Sequence, residues 1–312
     1  MTRIAVILNP FAGGNRGEIT RAERLARIVG NRGIVLDPHG LEELDGAVAR
    51  ALDSGAELMA LCGGDGSYFR AFTVLDRLIG NGSWPLILPL PAGTINNLTH
   101  AIGAASTSPE RLLSTVLSSM ERDIALDVCD CDLFRAGEDG VGYIFGAGMI
   151  VNFLRAYYAR RPDPGAGTAA ALLATLALSG LVRGQLQRHI FQPFEADVIC
   201  DGERVPHRIY RQLIVSSVTA LGLGFRPFYL AGRKPRHFHV LGGPASARAL
   251  VSKLHRYWRG FPASHPGMYD NIAQELVVEF ARPTHYTVNG DLLGPVTRLE
   301  IRGLRRITLV RG

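Results

Sequence analysis

The sequence predicts an α/β N-terminal domain with a parallel sheet, residues 1–127, followed by a β-rich, sandwich-like C-terminal domain, residues 128–312, whose last strands are able to pack back on the first domain. Two observations predict this. In the first third, short continuous apolar runs alternate with amphipathic stretches of helical length, the grammar of a parallel sheet covered on both faces. Beyond residue 127 short strand-like runs follow one another between turn residues, the grammar of a β-rich domain.

Taken in order, Ile4–Leu8 reads as a strand, 18–29 as a helix, 34–37 as a weaker strand and 41–54 as a helix. A strand at 58–61, a helix at 67–79, a strand at 86–90 and helices at 96–102 and Pro109–Glu121 complete the first domain. In the second, strands are expected at 124–135, 141–145, Phe194–Cys200, 211–218, 236–241, 275–280 and 285–289. Helices interrupt them at 150–160, 169–183 and 245–259.

The formal net charge of +6 is unevenly spread: residues 204–269 contain eleven Arg or Lys and no Asp or Glu. Such a field attracts anionic lipid, phosphate or nucleic acid, but no recognisable nucleic-acid module accompanies it, so none is expected as a partner. The four cysteines, Cys62, Cys129, Cys131 and Cys200, are too few and too irregular for a disulfide framework, and reduced core thiols in a cytoplasmic protein are expected. The apolar run Ile4–Leu8 ends at Asn9-Pro10, too short for a signal peptide. The uncharged stretch 165–182 is diluted by Gly, Ser and Thr and reads as a buried helix, or as the wall of an acyl-chain cleft, rather than a membrane span.

Three turns of the first domain share a position, each following a strand and opening towards a helix. They are Asn9-Pro10-Phe11-Ala12-Gly13-Gly14, Gly63-Gly64-Asp65-Gly66-Ser67 and Pro91-Ala92-Gly93-Thr94-Ile95-Asn96-Asn97. In an open parallel sheet, ligands bind outside the carboxyl ends of the strands, where all three would converge. Glycines let the backbone approach a bulky anion, and the following helix aims free N–H groups at it. Asp65 is badly placed to touch phosphate directly; it makes sense as a ligand or water-mediated anchor of Mg²⁺, while in a single turn it would equally read as a helix cap. Thr94 and Asn96 supply polar groups for phosphate oxygens or the nucleoside.

These motifs, in this order and with Leu98 after Asn97, resemble the catalytic domain of diacylglycerol and sphingosine kinases, in particular its soluble bacterial branch. The late signature of that family is matched imperfectly by Asn289-Gly290-Asp291. The resemblance implies an ATP-dependent lipid kinase with Mg²⁺, with ATP between two domains and the lipid in a cleft beside a β-sandwich. Asn9, Pro10, Gly13, Gly63, Gly64, Asp65, Gly66, Ser67, Gly93, Thr94 and Asn96 would form the nucleotide site, with Asp65 as metal ligand. Asp65, Asn289 and Asp291 would be catalytic, the last two facing the lipid hydroxyl and the transferring phosphate. Two departures stand out: Arg70 occupies a position where the family usually has Glu, and Asn289 the place of the Asp taken as general base. An amide does not accept that proton. Asn-Gly is also a strong hairpin signal.

Residues 245–259 have a helical period that places Leu250, Val251, Leu254, Tyr257 and Trp258 on one arc and Arg248, Lys253, Arg256 and Arg259 on the other. That is the composition of a helix lying in a membrane interface, and equally of an amphipathic helix packed on its own domain. The expectation is a kinase of diacylglycerol, with ceramide or another sphingoid lipid next, cytoplasmic and peripheral at the inner face of an anionic membrane; a homodimer is left open. Two rivals are a soluble-substrate kinase of the phosphofructokinase or NAD kinase type, whose turn Gly-Gly-Asp-Gly-Ser-Tyr resembles, and a catalytically silent lipid- or nucleotide-binding protein.

Overall fold

A computed structural model describes residues 3–312 apart from 19, 105–106, 139, 160–167, 169–170, 172–183, 223, 264 and 266. The chain forms two units, Met1–Cys131 with Arg306–Gly312, and Asp132–Arg305.

The first unit is a parallel sheet. Strand β1 (Ile4–Leu8) lies between β2 (Gly33–Leu36) and β3 (Leu58–Gly63), and β4 (Leu86–Pro91) pairs with β3. The end of the last strand of the chain adds to β4 through Leu309 and Ile87. The register sets the site: Leu8 lies beside Cys62 and Gly63 beside Pro91, so three strands end at one edge and release their turns together.

Both faces of the sheet are covered, as its uninterrupted apolar strands require. On one face α1 (Arg21–Val29) and α5 (Pro109–Glu121) bury Leu25, Val29, Leu112, Leu113, Val116 and Leu117 against β1, β3 and β4. Glu110 ties the two helices by accepting from Arg21 and Arg24 at 3.1 and 2.9 Å. On α2 (Leu41–Asp53), Ala47, Val48 and Ala51 are buried, as are Phe72 and Leu75 on α3 (Asp65–Ile79). These two helices are tied by Asp45, which accepts from Arg70 at 2.8 and 2.9 Å and from Arg77 at 3.2 Å. Arg70 therefore works as a helix-to-helix clamp where an acidic residue had been expected from the family pattern. A short helix, α4 (Asn97–Ile102), follows the third turn.

The second unit is antiparallel. Its central path runs β13 (Tyr269–Ala273), β12 (Phe238–Gly243), β11 (Gln212–Ser216), β7 (Ile144–Gly148), β14 (Glu275–Val288). Strand β14 also pairs with β8 (Phe194–Cys200) and with β15 (Asp291–Val310). The remaining strands are β5 (Val128–Ala136), β6 (Gly140–Gly142), β9 (Glu203–Arg204) and β10 (Ile209–Tyr210). Helix α6 (Met149–Tyr158) follows β7 directly, with Ile150 lying over Gly146, where a Cβ would come within 2.1 Å of its methyl. Helix α7 is Gln185–Ile190.

Four expectations change. The two strands expected at 275–280 and 285–289 are one strand, which crosses Pro283 through register shifts that absorb the residue unable to donate to a ladder. Strand β15 was not foreseen at all. The run 141–145 is split between β6 and β7, and β5 begins at Val128 rather than at residue 124. The single helix expected at 245–259 is two, α8 (Ala247–Ser252) and α9 (Leu254–Arg259), divided at Lys253, whose φ of −106° and ψ of 7° leave the helical region. The helix expected at 169–183, and the apolar stretch around it, lie outside the described residues apart from 168 and 171.

No helix among the described residues is long and apolar enough to cross a membrane. All four cysteines are free thiols. Burial pushes Cys62 up to about 12 and Cys200 up to about 11, so neither is a ready nucleophile.

Candidate active site

The three turns of the first unit meet. Asn9 begins the first: its side-chain oxygen accepts from the amide of Phe11 at 2.9 Å, closing an Asx turn ahead of Pro10, and its Nδ2 donates to Ser67 Oγ at 2.8 Å. A residue not anticipated, Asn15, holds this turn on the sheet. Only 5% exposed, it donates to the carbonyls of Asn9 (2.6 Å) and Cys62 (3.1 Å) and accepts from Arg21 (2.7 Å). Arg21 also donates to the carbonyl of Gly14.

The second and third turns touch backbone to backbone. A Cβ on Gly93 would lie 2.4 Å from the Cα of Gly64, and one on Gly64 would lie 2.8 Å from the Cα of Gly93, so side chains are excluded from both. The amide of Ala92 donates to the carbonyl of Gly63 at 2.8 Å, and that of Gly14 to Ala92 at 2.7 Å. A Cβ on Gly13 would meet Thr94 Oγ1 at 2.9 Å. Beneath them Tyr68, fully buried, reaches the carbonyls of Gly63 and Leu90 with its hydroxyl, each at 3.3 Å, pinning the ends of β3 and β4.

Two of the expected binding residues are engaged within the turns. Asn96 sits at φ 54°, accepts from the amide of Gly93 at 2.8 Å and donates to its carbonyl at 2.9 Å; it builds the loop. Asp65 accepts from the amides of Asn97 (3.0 Å) and Leu98 (3.2 Å), capping α4 from across the site. Each carboxylate oxygen thus takes one amide, and a carboxylate is the kind of ligand that holds Mg²⁺ together with water and phosphate oxygens. Among the described residues, no cluster of three or more His, Cys, Asp or Glu is gathered to hold a metal by protein ligands alone.

Helix α3 opens into this cluster. Its first intrahelical bond runs from Tyr68 N to the carbonyl of Gly64, so the amides of Gly66 and Ser67 point out of its positive end. A glycine-walled notch at the start of a fifteen-residue helix has the free amides and the positive helix end that favour an anion, and its glycines let backbone approach closely.

The comparisons with known proteins agree with that geometry. The family described as the diacylglycerol kinase catalytic domain matches residues 3–129, the stretch that carries all three turns. The N-terminal domain belongs to the diacylglycerol kinase catalytic family. Among solved structures, a diacylglycerol kinase from Bacillus anthracis strain Sterne superposes on this chain with a TM-score of 0.67 at 15% identity, covering 99% of this chain and 97% of that one. A yeast NADH kinase bound to NADH gives a TM-score of 0.53 at 10% identity, covering 100% and 84%. At these identities the likeness is one of fold. A comparison with curated proteins gives no match.

The remaining expected residues belong to the second unit. Asn289 is 3% exposed at φ 50°, between β14 and β15. Its Oδ1 accepts from the amides of Tyr143 and Ile144, each at 3.0 Å. Two backbone donors at one oxygen fix which end of the amide is which, and Nδ2 is left buried with no partner. A carboxylate in its place would keep both amides and present an acceptor; asparagine presents a donor. Gly290 follows at φ 99°, its carbonyl accepting from the Tyr158 hydroxyl at 3.3 Å, and Asp291 is exposed on the same hairpin.

Proposed function

We propose that the chain transfers the γ-phosphoryl group of ATP to the hydroxyl of a lipid, diacylglycerol first and ceramide or another sphingoid lipid next. The observation that carries the reading is the closure of three strand-end turns on one another around the start of α3, with Gly64 and Gly93 in backbone contact. Support comes from the family match over the same residues.

In this reading the amides of Gly66 and Ser67 receive the nucleotide phosphates, while Asn9 and Thr94 line the notch through Ser67 and Gly13. Mg²⁺, held by Asp65 together with the phosphates, would neutralise charge on the transferring group. The hydroxyl oxygen bonds to the γ-phosphorus as the bridge to the β-phosphate breaks, and ADP leaves. Such a transition state is loose and asks little of a base. Asp291 is assigned the hydroxyl proton, because Asn289 lacks the lone pair for it. Asn289 instead offers Nδ2 to an oxygen of the acceptor or of the phosphoryl group. We place the protein in the cytoplasm at the inner face of the membrane; four free thiols and the basic stretch of the second unit support that reading.

Incubation with labelled ATP and a total lipid extract, with NAD, NADH and sugar phosphates in parallel, tests the assignment. Label in a chloroform-soluble product, lost in Asp65→Asn, is expected. Label in NADP or NADPH with none in lipid would transfer the reading to a soluble-substrate kinase, whose fold the yeast enzyme shares.

A further inference from the structure

We propose that α8, α9 and the neighbouring loop at Arg226 form a docking face for an anionic lipid bilayer. The proposal rests on the lipid-kinase reading only for why the chain should meet a bilayer; docking itself is read without turnover.

The break at Lys253 turns α9 so that its apolar side faces solvent. Leu254 and Trp258, one helical turn apart, are 38% and 62% exposed, and Phe261, just past the C-cap Gly260, is 51% exposed. Trp258 is the most exposed large apolar side chain among the described residues. Tyr257 points the other way, half-buried, and its carbonyl accepts from the amide of Arg226 at 2.8 Å, which fixes α9 on the loop. The indole Nε1 lies against Gly224, where a Cβ would come within 2.9 Å, so the ring is held edge-on with its body outward.

Cations surround this apolar tip. Arg226, Arg248 and Arg259 are exposed, Lys253 and Arg256 half-buried, and none of the five makes an ion pair among the described residues. Arg256 donates to the carbonyl of Pro262 at 2.7 Å, bracing the segment that carries Phe261. The nearest acid in the chain, Asp270, is turned inward, accepting from Tyr229 at 3.1 Å and lying 2.7 Å from the fully buried His239. An exposed Trp–Phe–Leu tip ringed by unpaired cations matches the two layers of an anionic membrane surface: aromatic rings for the interface, guanidinium groups for lipid phosphates.

Trp258 supplies its own probe, since Trp84 is the only other tryptophan. The Trp84→Phe protein, checked for folding by circular dichroism, is titrated with phosphatidylcholine vesicles and with phosphatidylcholine–phosphatidylglycerol vesicles. A blue shift of emission with anionic vesicles alone, reversed by salt, is expected. Replacing Arg248, Lys253 and Arg259 together by Gln should weaken vesicle affinity about 100-fold, at a factor of about 5 for each cation. Trp258→Ala should weaken it as well, with turnover of a detergent-dispersed acceptor unchanged in both variants. Unchanged vesicle affinity in both variants overturns the proposal. So does tighter binding of an RNA oligomer than of vesicles at this face, or a dimer that Trp258→Ala dissolves, since each gives the face to another partner. Vesicle docking without any lipid phosphorylation sinks the kinase reading and leaves this one standing.

Discussion

The carboxylate of Asp65, at the start of α3, accepts the backbone amide of Asn97 at 3.0 Å and so joins the second glycine turn to the helix that follows the third. The same group that is proposed to hold a cation also holds the notch in shape.

Asp65→Asn therefore removes two things at once. The amide keeps one acceptor, so one of the two cap bonds, to Asn97 or Leu98, is lost, at a cost of about 1 kcal/mol. Lipid kinase turnover should fall by at least about 10²-fold, the scale of a lost electrostatic contact at a reacting phosphate. A thermal melt run beside a turnover assay separates the two effects: a variant that keeps near-normal turnover removes Asp65 from the chemistry.

Gly64 and Gly93 tolerate no side chain where their backbones touch. Gly93→Ala places a methyl 2.4 Å from Gly64 Cα and 2.7 Å from Asn96 Oδ1, so the two turns must part. The strain is on the order of 1–3 kcal/mol, and it falls on the nucleotide notch rather than on the sheet. Nucleotide affinity, measured by calorimetry, should drop at least tenfold while the far-ultraviolet spectrum is unchanged.

Asn289→Asp keeps one oxygen for the amides of Tyr143 and Ile144 and converts the opposite atom from donor to acceptor. If a base limits the rate, turnover should rise by up to about 10²–10⁴-fold and acquire an acidic limb in its pH profile. Asn289→Ala, which leaves both amides unpaired, should lose on the order of 2–4 kcal/mol of stability. A flat pH profile and unaltered rate in the Asp variant would show that the hydroxyl proton leaves elsewhere.

Glu110 makes part of the stability pH-dependent. Burial raises its pKa, but its own backbone amide and the guanidinium groups of Arg24 and Arg21 outweigh that and hold it at about 2, against an ordinary 4.5. Because the folded value is the lower, the unfolded chain takes up the proton first as pH falls. The stabilisation is complete above 4.5 and is lost as pH falls towards about 2. Urea midpoints of the native protein and of Glu110→Gln should differ near neutral pH and converge at about pH 2; a gap that stays constant with pH would exclude the ion pairs as its source.

Local signals gave the first unit well. Ile4–Leu8 and Pro109–Glu121 have the limits the sequence suggests, because a continuous apolar run and a Ser-Pro helix start are local facts. The meeting of three turns was legible too, since it follows from strand ends in a parallel sheet. What stayed hidden depends on partners distant in the chain. Asn15 reaches Cys62 across 47 residues, and Tyr68 reaches Leu90 across 22, with nothing in the neighbouring sequence to mark either. The long β15 did carry a period-two signal, with Leu299 and Ile301 buried between Arg298, Glu300 and Arg302, but Gly294-Pro295 and Gly303 punctuate it like turns. The break at Lys253 was invisible because both halves of the segment keep good helical periodicity; what separates them is the docking of Tyr257 on the Arg226 loop.

The sheet that supports the notch is completed by residues far along the chain. Leu309 pairs with Ile87, Val310 is wholly buried in the core of the first unit, and Arg311 grips Asp127 at 2.6 Å. On the ribosome, the edge of β4 stays open while about 220 further residues, from Ile87 to Leu309, are synthesised, so this unit does not settle in the usual N-terminal-first order. The three turns therefore gain this last support of their sheet only after the whole second unit has been translated.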